Sequence, residues 1–79
     1  MVDSASFREW LRKNTSLGPD SVTDTISRIR RADRIREWDN EPTYIFFLER
    51  DEAFACLSVS VKSQIRKAVR LYEAFAGNG

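Results

Sequence analysis

Histidine is missing from this 79-residue sequence, and cysteine occurs once, at Cys56. Without His, the chain lacks the commonest general base, the base of the usual Ser and Cys nucleophile pairs, and every zinc site that uses imidazole. A single Cys can neither close an intrachain disulfide nor supply the several thiolates of a Cys-only zinc site. The composition therefore predicts a protein that is not itself an enzyme and that holds no metal or other cofactor.

Glycine, proline and long apolar runs are scarce as well. The chain has three Gly and two Pro, with 42% hydrophobic and 32% charged residues, a balance that is typical of a globular domain rather than a disordered segment. The longest apolar run covers residues 44–48, far short of the roughly 20 residues that cross a bilayer. The N-terminus, with Asp3, lacks the basic-then-apolar order of a signal peptide. We therefore expect one small cytoplasmic domain over residues 1–79, with no membrane partner.

Apolar residues recur at helical spacing in four segments, and no segment alternates as a strand does. The predicted helices cover about residues 5–14, 19–34, 42–50 and 60–76. In the first, Phe7, Trp10 and Leu11 share one face and Ser4 is the candidate cap. The second begins at Pro19, because proline loses no hydrogen bond at a first helical position.

The third and fourth predicted helices differ in character. The third begins near Pro42 and is rich in aromatic residues, so we expect it to be buried on more than one side. Whether Phe54 still belongs to it stays open. The fourth has an unbroken apolar stripe and a serine cap at Ser58 or Ser60. Together the four segments predict an all-α fold, a compact four-helix domain.

The net charge of +1 conceals a segregation of charge along the chain. Residues 28–36 hold five Arg and one Asp, residues 62–70 hold four basic residues and no acid, and residues 37–52 hold six acids and one base. At about 100° per residue, the cations of the second and fourth helices lie opposite the apolar stripes. If these helices are neighbours, their basic faces form one patch that suits phosphates. The alternative is an ordinary solvated helix face without a ligand.

Four motifs follow one another in a recognisable order. They are Phe7-Arg-Glu-Trp10-Leu11, Gly18-Pro-Asp-Ser21-Val22 at the start of a basic helix, Glu41-Pro42-Thr43 before an aromatic helix, and an Arg-rich helix from Ser58 to Phe75. This order resembles the N-terminal core-binding domain of tyrosine recombinases and phage integrases, a SAM-like four-helix domain, over nearly the whole chain. The resemblance implies a module that grips double-stranded DNA with its second and fourth helices and takes part in DNA recombination.

The resemblance and the basic faces together select the candidate DNA-binding residues. On the second helix they are Ser21, Thr23, Arg28, Arg31 and Arg34, and on the fourth they are Ser60, Lys62, Ser63, Arg66, Lys67 and Arg70. The sequence departs from the family at Thr25, where the family often has Tyr, and the neighbouring Asp24 repels phosphate. The catalytic Arg, His and Tyr of recombinases belong to a domain that is not in this chain. A downstream catalytic domain or a protein partner would supply the chemistry.

A protein-interaction module without nucleic-acid binding is the alternative function. In it, the acidic segment 37–52 or the basic helices dock a partner, or the chain self-associates. An exposed Phe46 or Trp38 would favour this alternative. Trp38 lies in a predicted loop, so the sequence leaves open whether its ring packs in the core or stacks on a base.

The remaining notable side chains are expected to have structural roles. Trp10, Tyr44 and Tyr72 lie in apolar stripes and are predicted to be core residues. Cys56 lies between Ala and Leu and is predicted to be a small buried hydrophobe. The acids of residues 49–52 lack the Gly-punctuated loop spacing of a calcium site, so no metal site is expected there.

Overall fold

The computed structural model describes residues 1–77, which form α-helices joined by short connections and contain no strand. The helices are α1 (Ser4–Asn14), α2 (Pro19–Ile35), α3 (Tyr44–Arg50), α4 (Glu52–Ala55) and α5 (Val59–Gly77). Four of them are the predicted helices, with ends that differ by at most two residues from the prediction, and α4 is additional. The all-α fold class is confirmed.

Side-chain caps fix where two of the long helices begin. The Asp3 carboxylate accepts a hydrogen bond from the backbone N–H of Ser6 at 3.1 Å, so Asp3 caps α1 and the predicted cap, Ser4, is the first helical residue. This bond lowers the pKa of Asp3. Ser58 Oγ accepts from the backbone N–H of Val61 at 3.3 Å, and the cap of α5 is therefore Ser58.

The segment around α3 and α4 differs most from the prediction. Pro42 and Thr43 form a turn, and α3 therefore begins at Tyr44 rather than at Pro42. Asp51 has extended backbone, which ends α3, and its carboxylate then caps α4 by accepting from the backbone N–H of Ala53 at 2.9 Å. Phe54 thus belongs to a separate short helix, where it is fully buried.

The core lies between α2 and α5, the helix pair with the most extensive packing, and α1 covers both. The radius of gyration, 11.9 Å, matches the value of about 12 Å expected for a compact chain of this length. No helix within residues 1–77 has the length and apolar character needed to cross a membrane. The buried apolar side chains are Phe7, Leu11, Val22, Ile26, Ile29, Ala32, Tyr44, Leu48, Phe54, Ile65, Ala68, Val69 and Tyr72.

Aromatic rings join the helices at the centre of this core. Tyr72 of α5 packs edge-on against Phe7 of α1 at 4.9 Å between ring centroids. Trp38, from the connection after α2, lies 4.9 Å from both Tyr44 and Tyr72. The core interpretation of both tyrosines is confirmed, and Trp38 is held against the core by two rings rather than free to stack on a base.

Two expectations about burial are wrong. Phe46 and Phe47 are 51% and 45% exposed, because Tyr44, Ile45 and Leu48 face the core and the two rings lie on the other side of α3. Cys56 is exposed, since Phe54 anchors α4 and the chain then leaves the core before Leu57 returns to it.

Candidate nucleic-acid interface

A groove of about 360 Å³ runs between α2 and the start of α5. Its α2 side is formed by residues on successive helical turns, because side chains three and four positions apart share a face. Its α5 side is formed by the first turns of that helix. The lining residues are Asp24, Ser27, Arg28, Arg31, Arg34, Val61, Gln64 and Ile65.

Three predicted DNA-binding residues, Arg28, Arg31 and Arg34, meet in this groove. Within residues 1–77 none of the three guanidinium groups forms an ion pair or a hydrogen bond with another side chain. Arg31 and Arg34 are exposed, and Arg28 is half-buried. Unneutralised guanidinium groups that converge on one groove create a positive potential, which draws anions.

Uncharged and acidic groups modulate this potential. Ser27 and Gln64 supply a hydroxyl and an amide that can donate hydrogen bonds to an anion, one from each wall. Asp24 lies on the α2 wall, one helical turn before Arg28, and repels anions at that end. An anion is therefore best accommodated towards the Arg31 side of the groove.

The cations of α5 do not complete a single merged patch with α2. Arg66 turns towards α3, where its Nη2 and Nε atoms both lie 2.6 Å from Glu49 Oε1. Lys62 lies one turn earlier on the same face as Arg66. Lys67 and Arg70 are exposed on α5 but are not among the residues that line the groove within the described part of the chain. The basic faces of α2 and α5 are thus neighbouring surfaces with different orientations.

The four predicted polar contacts lie near the starts of the two helices. Ser21 and Thr23 are exposed in the first turns of α2, and Ser60 and Ser63 are exposed in the first turns of α5. Thr23 borders a second cavity of about 280 Å³ on the other flank of α2, where Arg8, Arg30 and Arg34 also lie. Arg34 therefore borders both cavities and connects the two cationic surfaces of α2.

Thr25, the departure from the family pattern, has a structural role. Its side chain is buried, and its hydroxyl donates to the carbonyl oxygen of Ser21 one turn earlier at 2.8 Å. A hydroxyl satisfied in this way needs no external partner. Thr25 is thus a core position of α2 and not a surface that faces a ligand.

Sequence reasoning did not select Ser27 and Gln64 for the groove, nor Arg8 and Arg30 for the second cavity. Gln64 could have been predicted, because it follows Val61 by three positions and therefore lies beside the apolar stripe of its helix. Arg8 could not have been found this way, because its place depends on how α1 packs against α2.

A further cleft of about 240 Å³ lies at the opposite end of the molecule, between the α2–α3 connection and the end of α5. Trp38 and Pro42 form its apolar wall, and Glu41 and Glu73 carry its charge. Burial raises the pKa of Glu73 against the opposing influence of Arg70. Among the described lining residues the charged groups are two carboxylates, which make this cleft unsuitable for phosphate, and the groove is the better candidate.

The fold and the site define a small all-α domain with a cationic groove between two helices. Comparisons of the chain with protein-family models, with curated proteins and with solved structures find no match. The resemblance to the recombinase core-binding domain therefore stays a prediction.

Proposed function

We propose that this chain is a DNA-binding module that holds the phosphate backbone of double-stranded DNA in the groove between α2 and α5. The observation that carries the proposal is the convergence of Arg28, Arg31 and Arg34 on one groove without a carboxylate partner. Guanidinium groups bind phosphate oxygens in a bidentate geometry, and the release of condensed counterions makes such binding favourable.

The preference for duplex DNA over a small anion rests on the shape of the cationic surface. Arg8, Arg30 and Arg34 extend the positive surface across α2 towards α1. A surface of this breadth exceeds one phosphate group and suits a backbone with regularly spaced phosphates. Most of these contacts would position the duplex without reading its sequence.

We also propose that the chain is a core-binding domain of the recombinase type. It is supported by the adjacency of α2 and α5, the two helices that the resemblance assigns to DNA. The chain would then position DNA for a catalytic domain or a protein partner.

The test compares duplex binding by two variants that lose cations from different places. R28A/R31A/R34A removes the cations of the groove, and R12A/K13A removes exposed cations from the last turn of α1. Fluorescence anisotropy with a labelled duplex of about 20 base pairs, at several salt concentrations, reports affinity and its salt slope. We expect the groove variant to lower the slope of log K against log salt by about 2–3, which corresponds to three lost phosphate contacts.

The control variant distinguishes DNA binding at the groove from a general electrostatic attraction between the protein and DNA. R12A/K13A should retain most of the affinity and the salt slope, and circular dichroism should show both variants folded. Equal losses in the two variants would contradict a role for the groove. Unchanged NMR shifts of the wild-type protein on addition of duplex at low salt would overturn DNA binding altogether.

Protein interaction without nucleic-acid binding is the second candidate function, and the exposure of Phe46 and Phe47 favours it. Exposed aromatic pairs are unusual on a monomer surface and are enriched at interfaces. The duplex titration distinguishes the two functions, because this candidate predicts no response to DNA.

A further inference from the structure

A row of four side chains lies on the outer surface of α3 and reaches back to the end of α2. The Arg36 guanidinium lies over the Phe47 ring at 5.0 Å, and the Arg50 guanidinium lies over the Phe46 ring at 4.2 Å. The two rings meet edge to face, with 5.3 Å between their centroids. We call Arg36, Phe47, Phe46 and Arg50, in this order, the aromatic row.

The aromatic row is apolar in its middle and cationic at both ends. Arg50 is exposed and has no ion pair within residues 1–77, although acids precede and follow it in the sequence. Arg36 is 3.8 Å from Asp39, a distance at the limit of an ion pair, and its side chain is 39% exposed. Both guanidinium groups thus retain capacity for a carboxylate.

The row is held in place by contacts on the other side of α3. Tyr44 and Leu48 are fully buried and fix the rotation of the helix about its axis. The pair between Arg66 and Glu49 ties the same helix to α5. A surface that is fixed before binding costs little ordering entropy when a partner arrives.

We propose that the aromatic row is a docking site for an amphipathic helix of a partner protein whose apolar residues are flanked by carboxylates. The apolar side chains cover Phe46 and Phe47, and the carboxylates reach Arg36 and Arg50. Carboxylates at most about three helical turns apart on the partner match this arrangement, because the successive distances along the row are 5.0, 5.3 and 4.2 Å. The partner thus carries the pattern acid, apolar, apolar, acid along one face.

The charge pattern argues against a second copy of this chain as the occupant. Across a two-fold axis through the two rings, the row of one copy would run in reverse along the row of the other. Arg50 of each copy would then face Arg36 of its neighbour, and like charges across an interface oppose association.

The same surface is poorly suited to single-stranded nucleic acid. A base stacks on the face of an aromatic ring, and guanidinium groups already lie over the faces of Phe46 and Phe47. Glu49 and Asp51 flank Arg50 in the sequence, Glu52 follows, and these carboxylates oppose any anion. A nucleic acid carries a charge at every step and must meet them, whereas a helix can place its few carboxylates at Arg36 and Arg50 alone.

The row and the groove share no residue, and docking at the row does not depend on DNA binding. A chain with both surfaces could hold a partner protein on one side and a duplex on the other. The partner would then be recruited to DNA by this domain.

The test uses two designed helical peptides in an NMR titration of the ¹⁵N-labelled protein. The first peptide has Leu pairs flanked by Glu along one face, and the second is identical except that Lys replaces each Glu. We expect the acidic peptide to shift the amide signals of residues 44–50 and the Nε–H signals of Arg36 and Arg50, and the Lys peptide to leave them in place.

Three variants sharpen the experiment. Phe46→Ser with Phe47→Ser removes the apolar centre and should abolish the shifts, and because both side chains are already exposed the fold should survive. Arg50→Glu should weaken the acidic peptide by about tenfold and strengthen the Lys peptide, in line with a lost charge-assisted contact of roughly 1.4 kcal/mol. Lys13→Glu, which changes the net charge equally in α1, should leave both affinities unchanged.

Several results would overturn the proposal. Equal shifts with both peptides, or none with either, would show that the aromatic row does not recognise carboxylates. A doubled mass in light scattering that the serine variant abolishes would assign the row to a second copy. Shifts of the same signals with an oligothymidylate, in place of the acidic peptide, would assign it to nucleic acid.

Discussion

At the scale of single residues, Tyr44 connects three parts of the structure. Its ring is fully buried against Trp38, and its hydroxyl donates to the carbonyl oxygens of Ala32, at 3.0 Å, and Arg36 at the end of α2. The Ala32 carbonyl also accepts from the backbone N–H of Arg36 at 2.9 Å, and the Tyr44 hydroxyl adds a further hydrogen bond that stabilises this helix end. Burial raises the pKa of Tyr44, and the nearby carboxylates of Asp33 and Asp39 raise it further.

We predict that Tyr44→Phe costs about 1–2 kcal/mol of unfolding free energy at pH 8, because the Arg36 carbonyl loses its hydroxyl donor and the Ala32 carbonyl loses one of its two donors. The pKa of Tyr44 is higher in the folded than in the unfolded chain, where it is about 10. The stability that the hydroxyl contributes is therefore fully present below about pH 10 and is lost as pH rises above it. The difference between wild type and variant should shrink with rising pH in urea unfolding experiments.

Tyr72→Phe is the matched control for this prediction. The Tyr72 hydroxyl accepts a hydrogen bond from the backbone N–H of Asp3 at 2.9 Å, in a partly buried position that water can reach. Its loss should cost less than that of the Tyr44 hydroxyl. An equal cost in both variants, or a constant difference between Tyr44→Phe and wild type across the pH range, would contradict the role of Tyr44 as a buried donor.

At the scale of the elements, α3 depends on its neighbours for its helical structure. Seven residues are fewer than the ~12–15 that an isolated helix needs to be stable in water. Two buried anchors, Tyr44 and Leu48, and one cross-link to α5, between Glu49 and Arg66, hold it. Arg66 thus has a structural partner that the groove arginines of α2 lack.

We therefore predict that Arg66→Ala weakens duplex binding less than Arg28→Ala does, since the Arg66 charge is already neutralised by Glu49. The variant should instead lose about 0.2–1 kcal/mol of unfolding free energy, the usual range for an exposed ion pair. Fluorescence anisotropy and urea unfolding measure the two effects. The double variant E49Q/R66A checks the ion pair. It should unfold no more easily than R66A alone, because R66A has already lost the pair with Glu49. A larger loss of DNA affinity in R66A than in R28A would place the interface on α5 instead of α2.

At the scale of the whole molecule, the charges of the chain are distributed over separate surfaces. The cationic groove faces outward between α2 and α5, while the aromatic row lies on α3 beyond the Glu49–Arg66 pair. The α2–α5 and α1–α2 contacts that support the groove form the larger part of the core. Each surface therefore has its own support, and a change at one should leave the other intact.

This separation predicts independent binding. F46S/F47S should keep the duplex affinity of the wild type, and R28A/R31A/R34A should keep its affinity for the acidic peptide. Sites that are distant and share no partner usually have additive effects. Isothermal titration of the peptide into the protein alone and into its DNA complex measures the coupling. A change in peptide affinity greater than about tenfold on addition of DNA would show that the two surfaces overlap or communicate.

Four of the five described helices and their apolar faces were predictable from the chain alone, because the 3.6-residue period is a local property of the sequence. The spacing of Val22, Ile26 and Ile29 was enough to predict the buried stripe of α2. The segregation of charge, and hence the candidate arginines, was readable in the same way. The buried positions of Tyr44 and Tyr72 also followed from their stripes.

Which polar face meets which neighbour depends on how the helices pack. Arg66 pairs with Glu49, seventeen positions earlier in the chain, and this ion pair directs the Arg66 side chain towards α3 rather than the groove. Whether Phe46, Phe47 and Cys56 are covered depends on which elements surround α3 and α4, and no helix within residues 1–77 covers them. A helical period defines the direction of a side chain within its own helix, but the packing of the helices determines what lies in that direction.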